Sequence, residues 1–176
     1  MSLTTLYHGT DDCSAIDLYQ TQSVNVKRGL KHTDFGRGFY LTDDFNRAAK
    51  WAMHKAMVRG RRAAVVSAEV DLKSADAFIE KFHDDLRWGR FIVNNRNGME
   101  YIKKVPFKEH NLDAKYAITY GRIADIDILN VSSELAEFGE MLRSLDRILN
   151  KNFSFQYAFH TKEATHFIKK MTYQMI

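Results

Sequence analysis

Near the end of the chain Phe153, Phe155, Tyr157 and Phe159 alternate with Ser154, Gln156, Ala158 and His160. A period of two belongs to a β-strand, whose successive side chains point to opposite faces. Four aromatic rings on one face demand burial, so this strand must sit in a sheet with a substantial core on that side. The small and polar face carrying Gln156 is then expected to look into a cleft or solvent.

The rest of the chain reads as alternating strands and helices. Residues 3–8 form an expected first strand, closed by Gly9. Asp43 or Asp44 is a good N-cap for a helix in which Phe45, Ala48, Ala49, Ala52, Met53 and Ala56 follow the helical spacing until Arg59 and Gly60 end it. Residues 63–72 and 115–122 read as strands, and residues 74–94 as one or two short helices. Ser132 or Ser133 can cap a packing helix bearing Leu135, Phe138, Leu142, Leu145, Ile148 and Leu149. Thr161 is placed to cap a final helix with Ala164, Phe167, Ile168 and Met171 on its apolar side.

Residues 34–42, Asp-Phe-Gly-Arg-Gly-Phe-Tyr-Leu-Thr, set two glycines among aromatics just before a short strand. Gly36 and Gly38 give backbone freedom and leave no side chain in a ligand's way. Phe39, Tyr40 and Leu41 favour a strand, one face of which can meet a flat ring. A plain loop-strand corner with Tyr40 in the core is the competing reading.

With 176 residues, 45% hydrophobic and 27% charged, and a single proline, the chain is expected to be one globular domain spanning residues 1–176. It has no low-complexity tract and no repeat. No basic region followed by an apolar run opens it, and no run of about eighteen apolar residues occurs, so a soluble protein without membrane partners is expected. Cys13 is the lone cysteine, which suits a reducing cytosol. The seven histidines include no pair three to five apart, so no zinc site of the helical kind is expected, and no metal is implied. Gly36-x-Gly38 lacks the third glycine of a Rossmann turn, and no phosphate-loop lysine motif is present. The net charge of +4 gathers in short clusters such as Lys27-Arg28 with Lys31, Arg59 with Arg61-Arg62, Lys103-Lys104 with Lys108, and Lys169-Lys170. Those clusters favour polyanions, either a nucleic acid or a pyrophosphate.

Tyr7-His-Gly-Thr10, the 34–42 element followed by Ala48-Ala49-Lys50-Trp51-Ala52, the stretches 88–96 and 116–125, and Phe155-Gln-Tyr-Ala-Phe-His-Thr161 together resemble the bacterial DUF3990 family, which itself looks like a branch of the ADP-ribosyltransferase fold. The resemblance implies an α+β fold with a split mixed β-sheet, and NAD as co-substrate in the cleft between the halves. It further implies a signature of His, Tyr and a third acidic or amide residue, matched here by His8, Tyr40 and Gln156. By that analogy His8 hydrogen-bonds the adenosine ribose, Gly9 presents backbone groups to the nicotinamide amide, and Tyr40 stacks on the nicotinamide ring. Arg37 is a candidate for the pyrophosphate, and Thr10 and Thr42 for the ribose or amide. Asn94 and Arg96 match a family block, with contact to substrate and bracing of the sheet both open as roles. Gln156 stands where better-known transferases carry glutamate. Being neutral, it can orient a ribose hydroxyl but cannot oppose oxocarbenium charge directly.

The expectation is a mono-ADP-ribosyltransferase acting on a protein or nucleic-acid acceptor, as a bacterial or phage toxin, effector or defence enzyme. It would be cytoplasmic or delivered into a target cytosol, with an antitoxin or immunity protein as an expected class of partner. The alternatives are an NAD glycohydrolase, with water as acceptor, and a non-catalytic nucleotide- or nucleic-acid-binding module on the same fold.

Overall fold

A computed structural model of the chain describes residues 3–82, 86–124 and 154–176. The elements run β1 (Thr4–Asp11), α1 (Asp12–Thr21), β2 (Phe39–Thr42), α2 (Phe45–Arg59), β3 (Ala63–Val70), α3 (Leu72–Ala75), β4 (Ile79–Lys81), α4 (Leu86–Asn97), α5 (Met99–Ile102), β5 (Ile118–Arg122), β6 (Phe155–Phe159) and β7 (Ile168–Met175), with short 3-10 turns between some of them. Among the described residues seven strands form one sheet, in the order β4-β5-β6-β2-β1-β3-β7. The β4–β5 pair is parallel and the remaining pairs are antiparallel, so the protein is α+β with a mixed sheet.

Both faces of the sheet are covered. On one, Leu6, Phe39, Leu41, Val66, Ile118, Phe159 and Met171 pack with Ala15 of α1. On the other, Phe35, Trp88, Phe91, Ile92 and Ala158 gather beneath α4, while Ala48, Ala52 and Ala56 of α2 lie on Ala63 and Val65. Alanine every fourth position brings α2 close to the strands, and Gly9 completes the approach. A Cβ at residue 9 would meet the Ala48 carbonyl oxygen and, at 2.8 Å, the Ala52 amide nitrogen. Both obstacles are backbone. Gly9→Ala is therefore expected to destabilise by about 3 kcal/mol or more through overpacking, read as a fall in the denaturant midpoint. An unchanged midpoint would contradict the packing of α2 on β1.

The α2 expectation holds at both ends. The Asp44 side chain accepts from the Arg47 amide, and Gly60 closes the helix at φ 61°. Met53, expected on the apolar side, is instead 53% exposed. The first strand runs past Gly9 to Asp11, whose carboxylate caps α1, a helix that the sequence reading does not include. Within residues 74–94 the structure adds a short strand, β4, to the expected helices. The helix expected after Ser132 or Ser133 lies outside the described residues, as do Phe153 and Asp125.

Two expectations fail for identifiable reasons. The final helix is instead a single 3-10 turn, Ala164–Phe167, followed by β7, although Thr161 Oγ1 does accept from the Ala164 amide. Ile168 pairs with Val70 and Met171 with Ala68, and the register shifts between Glu69 and Val70. That bulge puts residues three apart on the same face, so a strand imitates helical spacing. In β6 the burial is also not as expected. Gln156 and Ala158 are buried, while Phe155 and Tyr157 are only partly so. Alternation exposes a polar face only when nothing covers it, and here α4 and the 33–38 loop do.

Candidate active site

His8, Tyr40 and Gln156 lie on three neighbouring strands, β1, β2 and β6. Pairing of Tyr7 with Thr42, and of Thr42 with Gln156, puts Gly9, Tyr40, Thr42 and Gln156 on one face. His8 and Thr10 belong to the other face, where the His8 ring lies 4.5 Å from that of Phe39. The structure thus brings Tyr40 and Gln156 together on a face, and His8 approaches them from behind.

It does so through the backbone. β1 meets β2 at one paired position, Tyr7 opposite Thr42, whereas β1 and β3 pair from Thr4 to Asp11. The next antiparallel step would set Gly9 opposite Tyr40, and there the ladder stops. His8 Nδ1 donates to the Tyr40 carbonyl at 2.7 Å, and Lys55 Nζ to the Gly9 carbonyl at 2.9 Å. Side chains thereby satisfy carbonyls on either side of the break. Because a carbonyl only accepts, the His8 proton is on Nδ1 and Nε2 is left as an acceptor.

Burial, and then the Lys55 charge, lower the His8 pKa to about 3, against the opposing effect of the Tyr40 carbonyl. Burial likewise lowers His160 to about 4. The His160 Nδ1 donates to the Arg37 carbonyl at 2.7 Å, and its Nε2 accepts from Thr119 Oγ1 at 2.9 Å. Burial, with the charge of Arg59, lowers Lys55 to about 8. In the unfolded chain both imidazoles take up a proton near pH 6.5, and in the folded protein only well below that. Their contribution is therefore complete above pH 6.5 and is lost as the pH falls towards 4 and 3. Each contributes about 1.4 kcal/mol per pH unit, so about 2 kcal/mol each is gone at pH 5. Urea midpoints measured from pH 7 to pH 5 should fall accordingly, with His160→Gln removing about half of the decline. A flat profile would contradict the holding of both rings in the neutral form.

Tyr40 is anchored through its hydroxyl. The Phe35 amide donates to it at 3.0 Å, it donates to the Gly36 carbonyl at 2.6 Å, and Thr33 Oγ1 lies at 2.8 Å. Burial pushes its pKa above the usual tyrosine value. Gly36 adopts φ +84°, and a Cβ there would meet the Asn111 carbonyl at 2.8 Å, while one at Gly38 would meet the Phe159 carbonyl at 2.9 Å. These glycines make room for the protein's own backbone, which corrects the expectation that they clear space for a ligand.

Gln156, expected to be displayed, is 7% exposed. Its Nε2 donates to Asp34 Oδ2 at 2.9 Å. The same oxygen accepts from the Ala124 amide at 3.0 Å, and Oδ1 accepts from Arg96 Nε at 2.8 Å and from Arg96 Nη2. Asn95 donates to the Asp34 carbonyl, and Asn94 to the carbonyls of Phe107 and Glu109. Asn94 thus ties α4 to the 107–109 segment, and Arg96 ties it to Asp34 and, at 3.3 Å, to the Ala124 carbonyl. Thr42 Oγ1 accepts from the Asp44 amide, a local bond, and Thr10 is buried. Arg37 is half-buried, and its Nε is enclosed without a hydrogen-bond partner among the described residues. Asp34 and Lys55 carry no role in the sequence reading. Their partners are distant along the chain, and no local pattern marks them.

A family model described as a protein of unknown function, DUF3990, matches residues 4–170. The chain belongs to the DUF3990 family. No curated protein and no solved structure matches it. The DUF3990 match therefore covers the seven strands of the described residues up to Lys170, including the short β1–β2 junction and the bonds around Asp34. No helix among the described residues is long and apolar enough to cross a membrane.

Proposed function

We propose that this DUF3990 protein is an NAD-dependent mono-ADP-ribosyltransferase whose site lies at the break between β1 and β2. The observation that carries the reading is that break. The ladder joins β1 to β2 at Tyr7 and Thr42 and goes no further, and beside its end His8 and Lys55 donate to the carbonyls of Tyr40 and Gly9. In this reading a flat dinucleotide end enters beside that short junction, with His8, Tyr40 and Gln156 on the three strands around it.

The reaction breaks the bond between C1′ of the nicotinamide ribose and the ring nitrogen, and the bonding pair leaves with neutral nicotinamide. The ribose acquires oxocarbenium character, and an acceptor oxygen or nitrogen forms the new bond to C1′ and loses a proton. With water as acceptor the product is free ADP-ribose. In this reading the neutral His8 offers Nε2 to a ribose hydroxyl. The Tyr40 ring faces the cationic nicotinamide, adding about 0.5 to 2 kcal/mol. Gln156 orients a ribose hydroxyl by hydrogen bonding. The enclosed Arg37 Nε is a donor for which a pyrophosphate oxygen is the fitting partner. The acceptor is a protein or nucleic-acid group, and the protein acts as a toxin, effector or defence enzyme in a cytosol, where an antitoxin or immunity protein would restrain it.

The binding-module alternative draws on the basic clusters, and one of them has other work. Arg59 and Arg61 bind the Asp11 carboxylate and Arg62 binds Asp12. Burial alone would raise the Asp11 carboxyl, but bonds from the Ser14 amide, Arg61 and Arg59 outweigh it and hold it well below the usual range. The deciding experiment is release of nicotinamide from NAD by the purified protein, with and without cell lysate. Release that rises with lysate supports transfer, equal release supports the glycohydrolase, and intact NAD supports the binding module.

A further inference from the structure

Asp34 does more than brace the fold, because every polar atom around its carboxylate is a donor. Arg96 Nε and Nη2 address Oδ1, and the Ala124 amide and Gln156 Nε2 address Oδ2. A carboxylate can only accept, so Gln156 has no choice of amide orientation. Its nitrogen is committed to Asp34, and its Oε1 is turned away. Among the described residues nothing donates to that oxygen. Asp34 itself cannot swing to follow a ligand, since it is held from α4 by Arg96 and from the end of β5 by Ala124.

We infer that Asp34 is the positioning residue of the site: it fixes Gln156 as a one-sided acceptor, so that Oε1 receives the hydrogen bond of a ribose hydroxyl as NAD is cleaved. This rests on the transferase reading above. It also explains a glutamine at this position. A glutamate would set a second carboxylate about 2.9 Å from Asp34, and two carboxylates that close share a proton rather than both ionising.

The test compares wild type, Gln156→Glu, Asp34→Asn and the double variant Asp34→Asn/Gln156→Glu by kcat and KM for NAD cleavage, normalised to folded protein by circular dichroism. Gln156→Glu should lower kcat at least roughly tenfold with KM little changed, because a shared proton blunts the acceptor. Asp34→Asn alone should lower kcat by a similar factor, because an amide facing donors releases Gln156 from its fixed orientation. In the double variant the amide introduced at position 34 can donate to the carboxylate introduced at position 156. There kcat should recover at least roughly tenfold over Gln156→Glu, a rescue that a purely structural Asp34 does not provide. A double variant no more active than Gln156→Glu would overturn the inference. If the double variant does not fold, Gln156→Glu decides alone, since it keeps Asp34 and Arg96, and wild-type kcat in it would overturn the inference. A wild-type protein that leaves NAD intact overturns the transferase reading and this inference together, whereas cleavage insensitive to these substitutions overturns the inference only.

Discussion

Asp34→Ala is expected to lower the folding free energy by about 3 to 5 kcal/mol, the effect of removing one partner from a buried ion pair. Asp34 and Arg96 expose only 10% and 14% of their side chains, so water does not replace what is lost. Three groups lose an acceptor together: the Ala124 amide, the Gln156 amide nitrogen and the Arg96 guanidinium, which among the described residues keeps only the Ala124 carbonyl at 3.3 Å. Since a domain of this size has a total stability of about 5 to 15 kcal/mol, the change removes a large share of it. Equilibrium urea unfolding followed by tryptophan fluorescence measures the loss, and Trp88, buried under the same face, is a suitable reporter. The exposed pair Arg28–Asp17 is the control, because breaking it should change stability by less than about 1 kcal/mol. A loss as small at Asp34 would mean that the hub is not structural.

On the transferase reading, Tyr40→Ala is expected to reduce NAD cleavage by roughly a hundredfold or more, up to about 30-fold of it from the lost ring contact of about 0.5 to 2 kcal/mol and the rest from the 33–38 loop that the hydroxyl anchors. Tyr40→Phe separates the two jobs of the side chain. The phenylalanine ring can still face nicotinamide, while the bonds with the Phe35 amide and the Gly36 carbonyl are lost. That variant should be less stable by about 1 to 3 kcal/mol, yet keep kcat within about tenfold of wild type at temperatures where it is folded. Steady-state nicotinamide release and thermal melts on both variants give the comparison. Equal losses of activity in Tyr40→Phe and Tyr40→Ala would assign the effect to the loop that the hydroxyl anchors and not to the ring.

What could be read from the residues followed local signals. Asp44 and Gly60 bracket α2 because capping chemistry is local, and the alternation in residues 155–159 marks β6 as a strand. What could not be read depended on distant partners. The bulge opposite β3 disguises β7 as a helix. The 33–38 loop and α4 cover the polar face of β6, which a single strand's pattern cannot announce. Likewise the candidate site was legible as three residue types, His8, Tyr40 and Gln156, but not as a geometry. The alternation that puts His8 behind the sheet follows only from the Tyr7–Thr42 register. The Asp34 carboxylate joins residues 62, 90 and 122 positions away, and no spacing rule connects them.

The most direct measurement is transfer of label from adenylate-labelled NAD by the purified protein in cell lysate, followed by protease or nuclease treatment, with Gln156→Ala alongside. The account predicts label on a macromolecule, sensitive to one of the two treatments and absent with the variant. Unlabelled macromolecules with intact NAD would contradict it.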